Sequence, residues 1–275
     1  MPQTAGISRR QQAIMKYIRE YGSAQVETLA ESFKVTPQTI RRDLNHLYDQ
    51  ELVQRVHGGA IIKDNVENLG YRSRKILMAE EKSAIAKRAA RLLPNNVSLF
   101  INIGTTTEKV AEYLVSHRGL LVITNNINVA SLLWPNPGME IIVANGTIRH
   151  QDGGIVDSST EEFIQKFKVD YAVIGCSSIE NGEIFDFDIR EVRVAQAIIK
   201  RARSIILVTD SIKFNRSAPI RLGELRQIDY LVTDNGIPQQ AIQACKDNDV
   251  HLEIVNIPDS ENIDLKNKEA VNYGN

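Results

Sequence analysis

Residues 36–44 read Thr36-Pro37-Gln38-Thr39-Ile40-Arg41-Arg42-Asp43-Leu44. Thr36 stands where an N-cap belongs, and Pro37 takes the first helical position, where its missing N–H costs nothing. The spacing predicts a helix that starts at Pro37 and places Ile40, Leu44 and Leu47 on one face. Gln38, Arg41, Arg42 and Asn45 are left on the opposite face. Those side chains suit a DNA major groove, because Gln and Asn can pair bidentately with adenine, and Arg with guanine or phosphate. At the helix start, Thr36 and Thr39 add hydroxyls beside N–H groups that favour phosphate. A small helical domain with a solvated, mixed-charge helix fits the same spacing.

On the N-terminal side, Ile14 and Ile18 form one helical face, and Val26, Leu29, Ala30 and Phe33 form a second that can pack against it. On the other side, residues 52–56 and 60–62 flank His57-Gly58-Gly59. This predicts a two-stranded wing turned by the paired glycines, with Arg55 and His57 towards the DNA backbone. The expectation for residues 1–62 is a winged helix-turn-helix. Residues 63–79 are polar, mixed in charge and contain Gly70, and read as a linker that becomes helical towards its end.

The chain has 275 residues, 43% hydrophobic and 24% charged, enough apolar material for about two domains. A formal net charge of -1 excludes a uniformly basic nucleic-acid coat, so DNA contact has to come from a local patch. Cys176 and Cys245 lie far apart with no Cys-x-x-Cys pair and no His/Cys cluster. That predicts reduced, buried thiols, no metal and a reducing compartment. No apolar run approaches the roughly 18 residues of a membrane span, and Lys16 and Arg19 interrupt the stretch after Arg9 and Arg10. A cytoplasmic, unexported protein without a membrane partner is expected.

Residues 80–256 alternate apolar runs with amphipathic ones. Strand candidates are 97–103, 120–124, 140–144, 170–175, 204–209, 228–233 and 250–255; helical patterns fall between them at 108–115, 161–167 and 191–201. Strands apolar on both faces and separated by helices predict an α/β domain with an open parallel sheet. Residues 257–275 are polar and read as a disordered tail.

Open α/β sheets bind ligands at the carboxyl ends of their strands, and polar loops recur there. Gly104, Thr105, Thr106 and Thr107 would bring N–H groups and hydroxyls to one point that a phosphate could occupy. Thr124, Asn125 and Asn126 follow the next strand; Arg149, Asp152 and Gly153, then Asp188, Arg190 and Glu191, and then Asp210 with Lys213 follow later ones. Thr105 with Glu108, and Asp188 with Glu191, also read as ordinary capping boxes. Each remaining loop taken alone reads as a surface turn, and only the shared edge groups them. Among five histidines, His150 alone lies beside such a loop, and no nucleophile–base constellation emerges, which points away from an enzyme.

The run 36–44, followed by His57-Gly58-Gly59-Ala60, resembles the recognition helix and wing of DeoR-family bacterial regulators. The resemblance extends over almost the whole chain to about Asn256. Asn102-Ile103-Gly104-Thr105-Thr106-Thr107-Glu108, Thr124-Asn125-Asn126, Asp152-Gly153-Gly154 and Phe187-Asp188 through Val192-Arg193 are similar to the branch of that family that answers to glycerol 3-phosphate. The resemblance implies a non-enzymatic repressor without cofactor, bound to double-stranded operator DNA at the nucleoid and controlling glycerol and glycerol-phosphate genes. Its sensor domain would share the fold of sugar-phosphate isomerases and coenzyme A transferases and take glycerol 3-phosphate as inducer. On this reading Gly104, Thr105, Thr106, Thr107 and Lys213 hold the phosphate with help from Arg149, and Asp188 and Glu191 recognise hydroxyls. The chain departs from the family at Asn102, where many members have Asp, and at Asn145-Gly146, where Gly-Gly is common. Another phosphorylated sugar or polyol as inducer, or an enzyme acting on sugar phosphates, are the alternative readings. Because one helix-turn-helix covers one half-site, a homodimer or homotetramer is expected.

Overall fold

The computed structural model describes residues 8–21, 23–50, 52–56, 58–62, 71–76 and 78–257. The N-terminal unit runs α1 (Arg9–Tyr21), β1 (Ser23–Gln25), α2 (Val26–Phe33), α3 (Pro37–Asp49), β2 (Val53–Val56) and β3 (Gly59–Ile62). Its core is the set foreseen from spacing: Ile14, Ile18, Leu29, Ile40, Leu44 and Leu47 are fully buried and pack together with Val53 and Ala60. α3 begins at Pro37, and the Thr36 hydroxyl accepts the Thr39 N–H at 3.3 Å.

The wing is antiparallel as expected, but the glycines divide the work differently. Val56 lies opposite Gly59, so of the two glycines it is Gly58, at φ 69°, that belongs to the turn. Gly59 instead belongs to β3, which also pairs with β1 in the sheet order β1-β3-β2. A Cβ at Gly59 would come within 2.1 Å of the Ala24 carbonyl oxygen. His57 lies outside the described residues, as do 63–70 and 77 of the expected linker and 258–275 of the expected tail.

The second unit continues with α4 (Tyr71–Ile76), α5 (Ala79–Leu92), β4 (Ser98–Ile101), α6 (Thr105–Leu114), β5 (Leu120–Thr124), α7 (Ile127–Leu133), β6 (Met139–Val143), α8 (Ser158–Ile164) and β7 (Val169–Ile174). Then come β8 (Ser178–Glu180), β9 (Glu183–Asp186), α9 (Ile189–Arg201), β10 (Ala202–Val208), a 3-10 turn (Ser211–Asn215), β11 (Ile220–Glu224), a second 3-10 turn (Leu225–Gln227), β12 (Tyr230–Asp234), α10 (Gln239–Asp247) and β13 (His251–Val255). Seven strands form one parallel sheet in the order β13-β12-β10-β7-β4-β5-β6.

Strand periodicity explains the two cores. Leu99 and Ile101, Val173, and Ile206 and Val208 face α5 and α6 on one side; Phe100, Ala172 and Ile174, and Ile205 and Leu207 face α9 on the other. Both faces are apolar, which is why the strands read as continuous hydrophobic runs. A small antiparallel sheet, β11-β9-β8, was not anticipated. Its first hairpin turns on Asn181-Gly182, at φ 51° and 82°, the backbone that a two-residue type I′ turn requires.

Among the described residues no helix is long and apolar enough to cross a membrane. Both cysteines are free thiols; Cys245 is buried and Cys176 partly so.

Candidate functional site

The outer face of α3 carries Gln38, Arg41, Arg42 and Asn45, all exposed. Asp43, in the middle of that helix, is turned inward: Arg10 Nε lies 2.5 Å from it and Gln11 Nε2 donates to it at 3.3 Å. This ties α1 to α3 and removes a carboxylate from the presented face. The wing is fastened to the same surface. Arg55 donates to Asn45 Oδ1 at 2.7 Å and stacks 4.8 Å above the Tyr48 ring, whose hydroxyl donates to the Gly59 carbonyl at 2.7 Å. Thr36 and Thr39 are bound to each other, Oγ1 to Oγ1 at 2.9 Å, and serve the cap. Arg41, 3.4 Å from Glu27, remains more than half exposed. A side chain so weakly paired can turn towards DNA at little cost.

The second site lies where the sheet reverses its order. From β4 the chain steps to β5 and β6 on one side, then returns through β7 to the other, so the loops after β4 and β7 diverge and leave a crevice between them. Gly104, Thr105, Thr106 and Thr107 form one lip, and Gly175, Cys176 and Ser177 the other. Gly104, at φ 149°, is the N-cap position of α6 and makes no side-chain cap, and the first helical bond of α6 runs from Glu108 N–H to the Gly104 carbonyl at 3.0 Å. The N–H groups of Thr105, Thr106 and Thr107 therefore have no acceptor within the helix. Thr107 Oγ1 donates to the Asn102 or Gly104 carbonyl at 2.7 or 2.8 Å and pins the turn. No capping box forms between Thr105 and Glu108. Glu108 is buried and accepts from Tyr71, Asn126 and Asn128 at 2.7, 3.1 and 2.9 Å.

Both cations and carboxylates line this crevice. Lys82, from α5, is buried, and burial pushes its ammonium down to about 8 against the pull of Asp210. Lys213 is lowered by burial in the same way, again opposed by Asp210. Arg74 of α4 is the third cation of the lining, and Asp186 and Glu191 are its carboxylates. Burial and the Asp186 carboxylate push Glu191 up to about 7, against the neighbouring Arg149. Burial also raises the Cys176 thiol to about 12, so it is no nucleophile at neutral pH.

The other anticipated ligand residues are placed differently. Arg149 donates to both Asp152 oxygens at 2.8 and 2.6 Å, to Asp188 at 3.0 Å, and lies 2.5 Å from Glu191. Three carboxylates surround its one charge and tie the loop of Asp152 to the start of α9. Arg190 is exposed and bound to its own N-cap, Asp188, at 3.0 and 2.6 Å, outside the crevice. Thr124 donates to the Ile101 carbonyl at 2.7 Å, Asn125 to the Ile155 carbonyl at 3.1 Å, and Asn126 caps α7; all three brace the loops. Gly153, at φ 74°, turns the loop that carries Asp152. Asp210 is the buried counter-charge of the two lysines. Of the residues singled out, Gly104, Thr105, Thr106, Thr107, Glu191 and Lys213 meet in one place.

Residues 10–66 match the DeoR-like helix-turn-helix domain, and residues 77–235 match the DeoR C-terminal sensor domain. The chain belongs to the DeoR family. The family read from residues 36–44 and the wing is thereby confirmed. This DeoR-family chain is 40% identical over 248 residues to the glycerol-3-phosphate regulon repressor of Escherichia coli (strain K12), covering 90% of the chain and 98% of that protein. It is 42% identical over 250 residues to the repressor of the same name from Haemophilus influenzae (strain ATCC 51907 / DSM 11121 / KW20 / Rd), covering 90% and 97%. Among solved structures, a D-ribose-5-phosphate isomerase in complex with phospho-erythronic acid is 16% identical with a TM-score of 0.37, over 50% of this chain and 54% of that one. Nothing about this DeoR-family chain follows from so distant a likeness.

Proposed function

We propose that this DeoR-family protein is a transcriptional repressor that grips its operator through α3 and the wing and is released by glycerol 3-phosphate. The observation that carries the sensing half is the crevice: three N–H groups at the start of α6 with no acceptor in their own helix share its lining with Lys82, Lys213, Asp186 and Glu191. A ligand that carries both a phosphate and hydroxyls matches that mixed lining. The names of the two repressors above favour glycerol 3-phosphate and a set of glycerol-phosphate genes. No covalent step is required; the ligand releases DNA only by binding the DNA-incompetent state better, with coupling of about 1 to 3 kcal/mol. At least two copies of the chain would act together on a two-fold or repeated operator.

A gel-shift titration on the DNA upstream of the protein's own gene tests both halves. At moderate ionic strength the duplex should be preferred over random competitor, and glycerol 3-phosphate should weaken that binding roughly 5- to 150-fold, with glycerol alone inert. Thr106→Glu should keep operator binding and lose the response, because a carboxylate then stands where the phosphate sits. No preference for any duplex sinks the DNA reading. A response to a different sugar phosphate alone moves the inducer, and turnover of a sugar phosphate by the purified protein replaces the regulator with an enzyme.

A further inference from the structure

Helix α4 lies in the stretch that joins the wing to α5, and its bonds to the sensor unit run to residues in or beside the anion crevice. Lys82 Nζ and the Thr105 hydroxyl both donate to the main-chain carbonyl of Arg74, the latter at 3.4 Å. The Arg74 side chain is 18% exposed and lines the crevice. Its Nε is buried without a hydrogen-bond partner. The carboxylate it meets, Asp152, stands 3.6 Å from its terminal nitrogen and is already held at both oxygens by Arg149. A partly buried guanidinium, with five donors in a fixed fork and one long contact, is built to take an oxyanion.

We propose that Arg74 is a ligand of the effector's phosphate and that α4 is the element through which occupancy of the crevice reaches the DNA-binding unit. The inference rests on the crevice being an anion site, as proposed above. Two acceptors compete for the same donors. A phosphate on the α6 N–H groups draws Lys82 and the Thr105 hydroxyl away from the Arg74 carbonyl, and draws the Arg74 guanidinium off Asp152. A main-chain attachment of α4 is exchanged for a side-chain one, so the empty and filled states hold the connector differently. Tyr71 stands outside the exchange: its hydroxyl donates to Glu108 at 2.7 Å and accepts from Asn128 at 3.1 Å, which anchors the other end of α4. Differential attachment of a connecting element is what a coupling free energy between two sites requires.

The test measures affinity for glycerol 3-phosphate, and separately for inorganic phosphate, on the full chain both free and saturated with operator. The ratio of free to operator-bound affinity reports the coupling. Arg74→Ala should lower the affinity of the free chain for both probes roughly tenfold or more, the loss expected of a charged hydrogen bond, and Arg74→Lys should restore part of it. Tyr71→Phe should leave free-chain affinity within about threefold of wild type while the ratio collapses towards one. Wild-type affinity in Arg74→Ala overturns the ligand role, and a wild-type ratio in Tyr71→Phe overturns the reporting role; both leave the proposed repressor standing. A wild-type chain that binds neither probe removes the crevice reading and this inference with it.

Discussion

Lys82 and Arg149 are both basic and both withdrawn from solvent, yet their surroundings give them opposite duties. Arg149 has more carboxylate neighbours than charge to share, whereas burial, with Lys213 and Arg74 beside it, lowers the Lys82 ammonium to about 8. A phosphate dianion favours the charged form of Lys82, so affinity for the effector should fall severalfold between about pH 7 and pH 9, as the ammonium titrates near 8. Calorimetric titrations across that range check it. The accompanying stability change has the opposite sign. Lys82 is lowered from 10.5 to about 8 on folding, so between those values the unfolded chain binds more protons and its contribution to stability rises with pH. Weakened binding there cannot be mistaken for unfolding from this group. On the DNA side, Arg41→Ala should weaken operator binding by about 1 to 3 kcal/mol, if it contacts a base, and leave effector affinity unchanged. A loss shared equally by operator and random duplex would mark it as a phosphate contact.

At the scale of elements, Gly59 shows how one backbone approach decides a small sheet. Any side chain there meets Ala24, so Gly59→Ala should break the β1–β3 pairing, lower stability by about 1 to 3 kcal/mol and weaken operator binding. Thermal unfolding and gel shifts would reveal it, and an unchanged melting temperature would contradict the pairing. Elements with strong periodicity were legible in the residues: α3 from its Thr-Pro start, and β4, β5, β7 and β10 from unbroken apolar runs. β1 was not, because three residues between two helices carry no period. The β8–β9 hairpin had a signal that went unread, since Asn181-Gly182 is the dipeptide such turns favour. Lys82 was hidden in a helix of the same kind, on the stripe of Ile85, Ala86 and Ala89. A lysine on a wholly apolar stripe is itself the clue. Arg149 misled because spacing shows that a guanidinium is near a loop, not which carboxylates from α9 will reach it.

The whole molecule consists of two units with separate cores, one of helices and a wing, the other of a sheet between helices. That division was readable from the change in hydrophobic period near Glu80, because period is a local property. The assembly of one crevice from distant loops was only partly readable, because it depends on strand order. The sheet's reversal between β4 and β7 has a further effect. One lip of the crevice belongs to the first half of the sensor unit and the other to the second, so a bound metabolite stitches the halves and acts as a folding clamp. At one hundred times its dissociation constant such a ligand adds about 2.7 kcal/mol to the unfolding free energy. Melting temperature should therefore climb with metabolite concentration, and a flat response would deny that the two lips share one guest. Starved of metabolite, the sensor unit loses that brace, and its lifetime against proteolysis then rests on operator contact and its own packing.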